Sequence, residues 1–166
     1  MILLAVLLQG GLVADLDAEL RAANSATAVL QRRCPVPIRA EVDRTARRNA
    51  PKKVRTDLEA GPAVELVYRR VRLKCGEAVY SIAENWYRPD RLTAGMNHAL
   101  LSGDIPFGVV ISPLKPTRRT LASEVREKAG IIVRHRAFVL SEDGQPLAEV
   151  VESYPRGIPL RAPGPQ

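Results

Sequence analysis

Two charged residues stand where the local residue pattern turns them toward apolar neighbours, and between them they could hold an anionic ligand. In AVELVYRRVRLKC, residues 63–75, a period of two places Val67, Arg69, Val71 and Leu73 on one side and Leu66, Tyr68, Arg70 and Arg72 on the other. Arg69 is thereby set among β-branched and leucine side chains. A buried guanidinium is costly unless a carboxylate or bound anion meets it, and its planar fork matches a carboxylate. Arg70 is the rival if the register slips by one residue. In PLAEVVESYP, Ala148, Val150, Glu152 and Tyr154 share a face, while Glu149 alternates with Leu147, Val151 and Ser153. Glu152 then has two readings: an internal ion pair with Arg69, or a position across a small cavity where it meets a ligand hydroxyl. The second arrangement fits an aromatic hydroxy acid.

Other chemistries find less support. None of Ser25, Ser81, Ser102, Ser123 and Ser153 lies in a G-x-S-x-G context, and neither common Gly-rich phosphate loop is present. A zinc site would need Cys34, Cys75, His98 and His135 from four distant places, so no metal is expected. Cys34 and Cys75 are candidates for one disulfide in an oxidising compartment, or for buried thiols otherwise. His135 shares a strand face with Ile131, Val133 and Val139, which reads as a hydrogen-bonded core histidine. Thr117-Arg118-Arg119 reads by default as a surface basic pair. It could also add positive potential at a pocket mouth.

The elements that would position these residues follow from the rest of the chain. With 166 residues, of which 46% are hydrophobic and 26% charged, one folded domain with a real core is expected. NSATAVLQRR starts a helix capped by Asn24 or Ser25, with an apolar stripe of Ala26, Val29 and Leu30. IRAEV is a short strand, and residues 40–62 read as a linker or surface excursion. Two hairpins are expected, one turning at CGE and one at Asp143-Gly144. Between them PDRLTAGMNHALLSGD reads as a helix, PFGVVIS as a strand and TRRTLASEVREKAG as a partly helical connection. The outcome is an α+β fold: a single antiparallel sheet of about six strands with helices packed on one face.

The net charge of +7 suits an anionic partner. The densest basic run, RTARRNAPKKVR at residues 44–55, lacks interleaved aromatics, so it reads as a solvated linker and no nucleic-acid partner is expected. MILLAVLLQGGLVA is too short to span a bilayer and reads either as a signal peptide or as a core helix continuing through Leu16 and Leu20. The expected organisation is an N-terminal apolar segment at 1–22, a domain at 23–158 and a flexible tail at 159–166.

The ordered set NSATAVLQ, YRRVRLKCGEAVYSIAENWYRP, DIPFGVVI, TRR and DGQPLAEVVESYP, over residues 24–155, resembles chorismate pyruvate-lyase and, more broadly, the chorismate lyase-like superfamily that includes the UTRA effector domain. The resemblance implies a ligand cavity closed off from solvent. By position it carries over four substrate-binding residues: Ala26 and Phe107 through backbone amides, Arg69 on a carboxylate and Glu152 near a ring hydroxyl. It implies conversion of chorismate to 4-hydroxybenzoate and pyruvate, as in ubiquinone biosynthesis, with Arg69 and Glu152 as the catalytic pair and no cofactor. The alternative is a non-catalytic, exported protein binding a small aromatic or carboxylate ligand. Either way a monomer with a small-molecule partner is expected. The apolar start and paired cysteines favour export to the periplasm, whereas a standard biosynthetic lyase would be cytoplasmic.

Overall fold

A computed structural model describes residues 2–162 of the chain. Six strands form one antiparallel sheet in the order β1-β2-β3-β6-β5-β4: β1 Arg39–Val42, β2 Val67–Cys75, β3 Ala78–Tyr87, β4 Thr117–Lys128, β5 Ile131–Leu140 and β6 Pro146–Pro155. The two expected hairpin turns fall where glycines allow positive φ, at Gly76 (56°) between β2 and β3 and at Gly144 (83°) between β5 and β6, and a third joins β4 to β5 at Gly130 (76°). The longest connection joins β3 to β4 and carries the helices α4, Ala94–Ser102, and α5, Phe107–Val110.

Register decides which side chains face the helices. Arg69 pairs with Asn85, Asn85 with Val150 and Val150 with Ala137, so one row of like-facing residues crosses four strands. That face is covered by α1, Ile2–Ala22, α2, Ala26–Gln31, and by α4 and α5. Leu16 and Leu20 of α1, Val29 and Leu30 of α2 and Val133 and Tyr154 of the sheet close one half of the core. Tyr87, Leu100, Ile111, Ala137 and Ala148 close the other. A disulfide between Cys34 and Cys75 ties the exit of α2 to the end of β2. Among the described residues no helix is long and apolar enough to cross a membrane.

Three local expectations are corrected. TRRTLASEVREKAG is not partly helical but forms β4, the edge strand beyond β5. Its charges are what an exposed edge tolerates, and register breaks after Thr120 and Val125 erase the alternation that would have identified it. PFGVVIS is not a strand. Pro106, at φ −58°, opens the turn of α5, which buries Ile111 and leaves Val109 exposed, so tertiary packing overrides the β-branched preference. Residues 40–62 are not a bare linker either, since they hold part of β1 and a short helix, α3, Lys52–Asp57. Val54 and Leu58 pack on Trp86 against the opposite face of the sheet. The tail expected at 159–166 lies outside the described residues at 163–166.

Candidate functional site

Between the sheet and the starts of α2 and α5 lies a cavity of about 80 Å³, measured as space open to the centres of water molecules. One water needs about 10–15 Å³ of such space, so there is room for several waters or a small ring. Arg69, Glu152, Ala26 and Phe107, drawn from four separate elements, all line it. Val71, Leu73, Val139, Val150 and Ile111 supply apolar wall, while Asn85, Ser25 and Thr27 add polar groups. The α2 wall is set locally. Ser25 is extended and its hydroxyl accepts the amide of Ala28 at 3.2 Å, which fixes where the helix begins.

Arg69 is the inward arginine of β2, with 5% of its surface exposed, whereas Arg70 is exposed. Its Nη2 donates to the Ile105 carbonyl at 3.1 Å, its Nε has no partner, and no carboxylate meets it among the described residues. Burial lowers its pKa to about 10, against a counter-effect of Tyr87 and with the charge of Arg44 pushing the same way. It therefore stays protonated at neutral pH. A buried cation held only by a carbonyl is a site that an anion would stabilise.

Glu152 does not pair with Arg69. Its Oε2 accepts from Arg118 Nη2 at 2.5 Å, in an ion pair buried on both sides. Arg118 is thus not the surface residue of the default reading; it lines the cavity, nearer to the alternative of positive charge at a pocket mouth, but buried and paired. Its Nη1 donates to the Leu20 carbonyl of α1 at 3.0 Å and to Thr120 at 2.9 Å, while Nη2 also reaches His135 Nδ1 at 3.2 Å. Since a guanidinium can only donate, His135 Nδ1 accepts, and its Nε2–H donates to Asp17 at 2.6 Å. His135 is accordingly neutral. Burial lowers its pKa, and Arg118 adds to the effect against the opposing pull of the Asp17 hydrogen bond. Burial would raise the Asp17 carboxyl, but hydrogen bonds from Ser123 and His135 and the charge of Arg21 hold it below its usual value. A buried polar chain therefore runs from the cavity through Glu152, Arg118 and His135 to Asp17 on α1. The signals for Arg118 in the sequence were its place two residues after a proline, at the start of a basic pair, and within the TRR of the segments that carry the resemblance.

Among the described residues no cluster of His, Cys, Asp or Glu could hold a metal ion.

No protein-family model matches the chain. The uncharacterized protein y4mC of Sinorhizobium fredii is 35% identical over an alignment that covers 68% of this chain and 56% of that protein, so the chain spans little more than half the length of this relative. Solved structures share the architecture at much lower identity. PhnF from Mycobacterium smegmatis superposes with a TM-score of 0.58 at 7% identity, over 81% of this chain and 65% of its own. The ligand-binding domain of a protein classed as a GntR-family transcriptional regulator from Bordetella bronchiseptica gives 0.54 at 11%, over 80% and 94%. The SA0254 gene product of Staphylococcus aureus gives 0.55 at 14%, over 87% and 97%. The α+β architecture, one antiparallel sheet with α1, α2, α4 and α5 on one face, matches the fold of UTRA and chorismate lyase-like domains.

Proposed function

We propose that this protein is a small-molecule binding domain whose ligand carries an anionic group for Arg69, an apolar body and a hydroxyl for Glu152. The observation that carries the reading is Arg69 itself, a guanidinium 5% exposed that faces the cavity and, among the described residues, is paired with no carboxylate, Glu152 being taken by Arg118. The apolar walls suit a ring or short aliphatic body, and Glu152, held in place by Arg118, accepts from a donor group. The starts of α2 and α5, at Ala26 and Phe107, supply backbone amides to the same ligand. That solved neighbours include a named ligand-binding domain supports binding as the role.

The test is thermal unfolding with 4-hydroxybenzoate as the probe. At a hundredfold excess over Kd a bound ligand stabilises by about 2.7 kcal/mol, roughly 5–10 °C in Tm for a domain of this size. We expect that shift in the native protein and in Arg70→Gln, and its loss in Arg69→Gln. Equal shifts in all three would remove Arg69 from the site, and no shift with this or related aromatic acids would sink the reading. A second reading, cleavage of chorismate, draws on the same pair, because Arg69 and Glu152 line one cavity. Folded protein incubated with chorismate would have to release 4-hydroxybenzoate above the uncatalysed rate, and an Arg69→Gln variant would have to lose that release.

A further inference from the structure

Arg69 borders a second space. On the outer side of β2 a cleft of about 510 Å³, on the same measure as the cavity, opens between the 43–49 loop and the strand, and Arg69 lies in its wall as well as in the cavity wall. The cleft exists because β1 pairs with β2 only from Val71 onward, so the first half of β2 is left for the loop to cover. The basic run that read as a solvated linker is therefore folded back on the site.

The charges around the cleft do not cancel. Its walls carry Arg44, Arg47, Arg48 and Arg69 against the carboxylates of Asp43 and Glu65. Arg48 is engaged elsewhere, lying 5.3 Å over the Trp86 ring and 3.5 Å from Glu84. Asp43 spends its Oδ1 on the Thr45 amide and hydroxyl and the Ala46 amide, an arrangement that shapes the loop. Among the described residues, Arg44 and Arg47 are anchored by carbonyls alone. Arg44 Nη2 donates to Ser102 at 2.9 Å and Gly103 at 3.2 Å, and its Nη1 to Leu101, while Arg47 Nη1 donates to the Arg44 and Ala46 carbonyls at 2.8 Å. Carbonyls fix a guanidinium in place without neutralising it. Arg44 is close enough to Arg69 to disfavour its charge, which an anion between or beside them would reverse.

We propose that this cleft is a second anion subsite of the same ligand site, so that the ligand is a dianion, with one carboxylate or phosphate on the inner side of Arg69 and another on Arg44 and Arg47. This rests on the reading of the inner cavity given above, and the test separates the two. The probes are 4-(carboxymethoxy)benzoate, a dianion with one carboxylate on a flexible arm, and its methyl ester at that arm, a monoanion of the same shape. Isothermal titration calorimetry on the native protein is expected to show the dianion binding at least tenfold tighter. In Arg44→Gln/Arg47→Gln the preference is expected to fall to less than threefold while the ester keeps its affinity. Arg47→Gln alone, which spares the carbonyl contacts of Arg44, is expected to lose part of the preference. Lys52→Gln/Arg161→Gln, an equal loss of charge away from the cleft, is expected to lose none. Equal affinity of the two probes for the native protein, or a preference that survives in the double arginine variant, would overturn the subsite. Either result would leave the inner site standing if the ester still binds in an Arg69-dependent way. Binding of neither probe would overturn both.

Discussion

Arg118 carries more of the site than any residue that alternation alone could single out. It holds Glu152 at the cavity, orients His135 and reaches the Leu20 carbonyl of α1, and burial and hydrogen-bond geometry make each contact worth more than its surface counterpart. Removing one member of a buried ion pair leaves the other charge unmet, at a cost of roughly 3–5 kcal/mol. Chemical denaturation is therefore expected to show Arg118→Leu and Glu152→Leu each destabilised by that order, and the double variant by clearly less than their sum. Additive losses would mean that the two do not act as a pair. Arg69 should behave in the opposite way. Among the described residues it has no carboxylate to strand, so Arg69→Leu is expected to keep or gain stability without ligand while losing the ligand response. Arg69 was legible because unbroken β-branched alternation surrounds it. Arg118 was not, because its partners lie far along the chain: 17 residues at His135, 34 at Glu152 and 98 at Leu20.

Two elements, α2 and β4, show how local preference and tertiary demand divide the work. The start of α2 could be read from Asn24 or Ser25, and the structure chooses Ser25, whose hydroxyl accepts the Ala28 amide. The other end of that segment is tied to β2 by the Cys34–Cys75 disulfide, which closes a loop of sequence separation 41. A bridge of that span stabilises by about 4 kcal/mol on the chain-entropy estimate. Cys34→Ser/Cys75→Ser is expected to lower stability by about that amount and, because α2 forms one wall of the cavity, to weaken binding of 4-hydroxybenzoate. A double variant as stable as the native protein would show that Gln31, Arg33 and Tyr80, which also bind this segment, suffice alone. The strand β4 was hidden by its charges and bulges. Charges accumulate on this edge because only one side of it is paired.

Over the whole molecule, the buried chain from Asp17 to Glu152 makes stability depend on pH in a definite direction. Unfolded, His135 takes up a proton as the pH falls through about 6.5, but folded it resists protonation because burial and the adjacent Arg118 lower its pKa. The unfolded state then binds more protons, so stability falls as the pH drops below about 6.5, by at most about 1.4 kcal/mol per pH unit. Glu149 works the other way nearer its own range, since burial raises its carboxyl pKa. Comparing the native protein with His135→Gln isolates the histidine: the variant is expected to show a flatter profile between pH 7 and 5, and identical slopes would sink the assignment. The sequence by itself determined two of the sheet hairpins, the alternation along β2 and β6 and a helix start at Asn24 or Ser25, because each depends on a few neighbouring residues and a short period, and the structure chose Arg69 over Arg70 and Ser25 over Asn24. Only the tertiary structure decided that Glu152 belongs to Arg118, that β4 is a strand and α5 a helix, and that the basic loop folds over Arg69. Those outcomes depend on which distant groups meet once the sheet closes, and no local pattern records them.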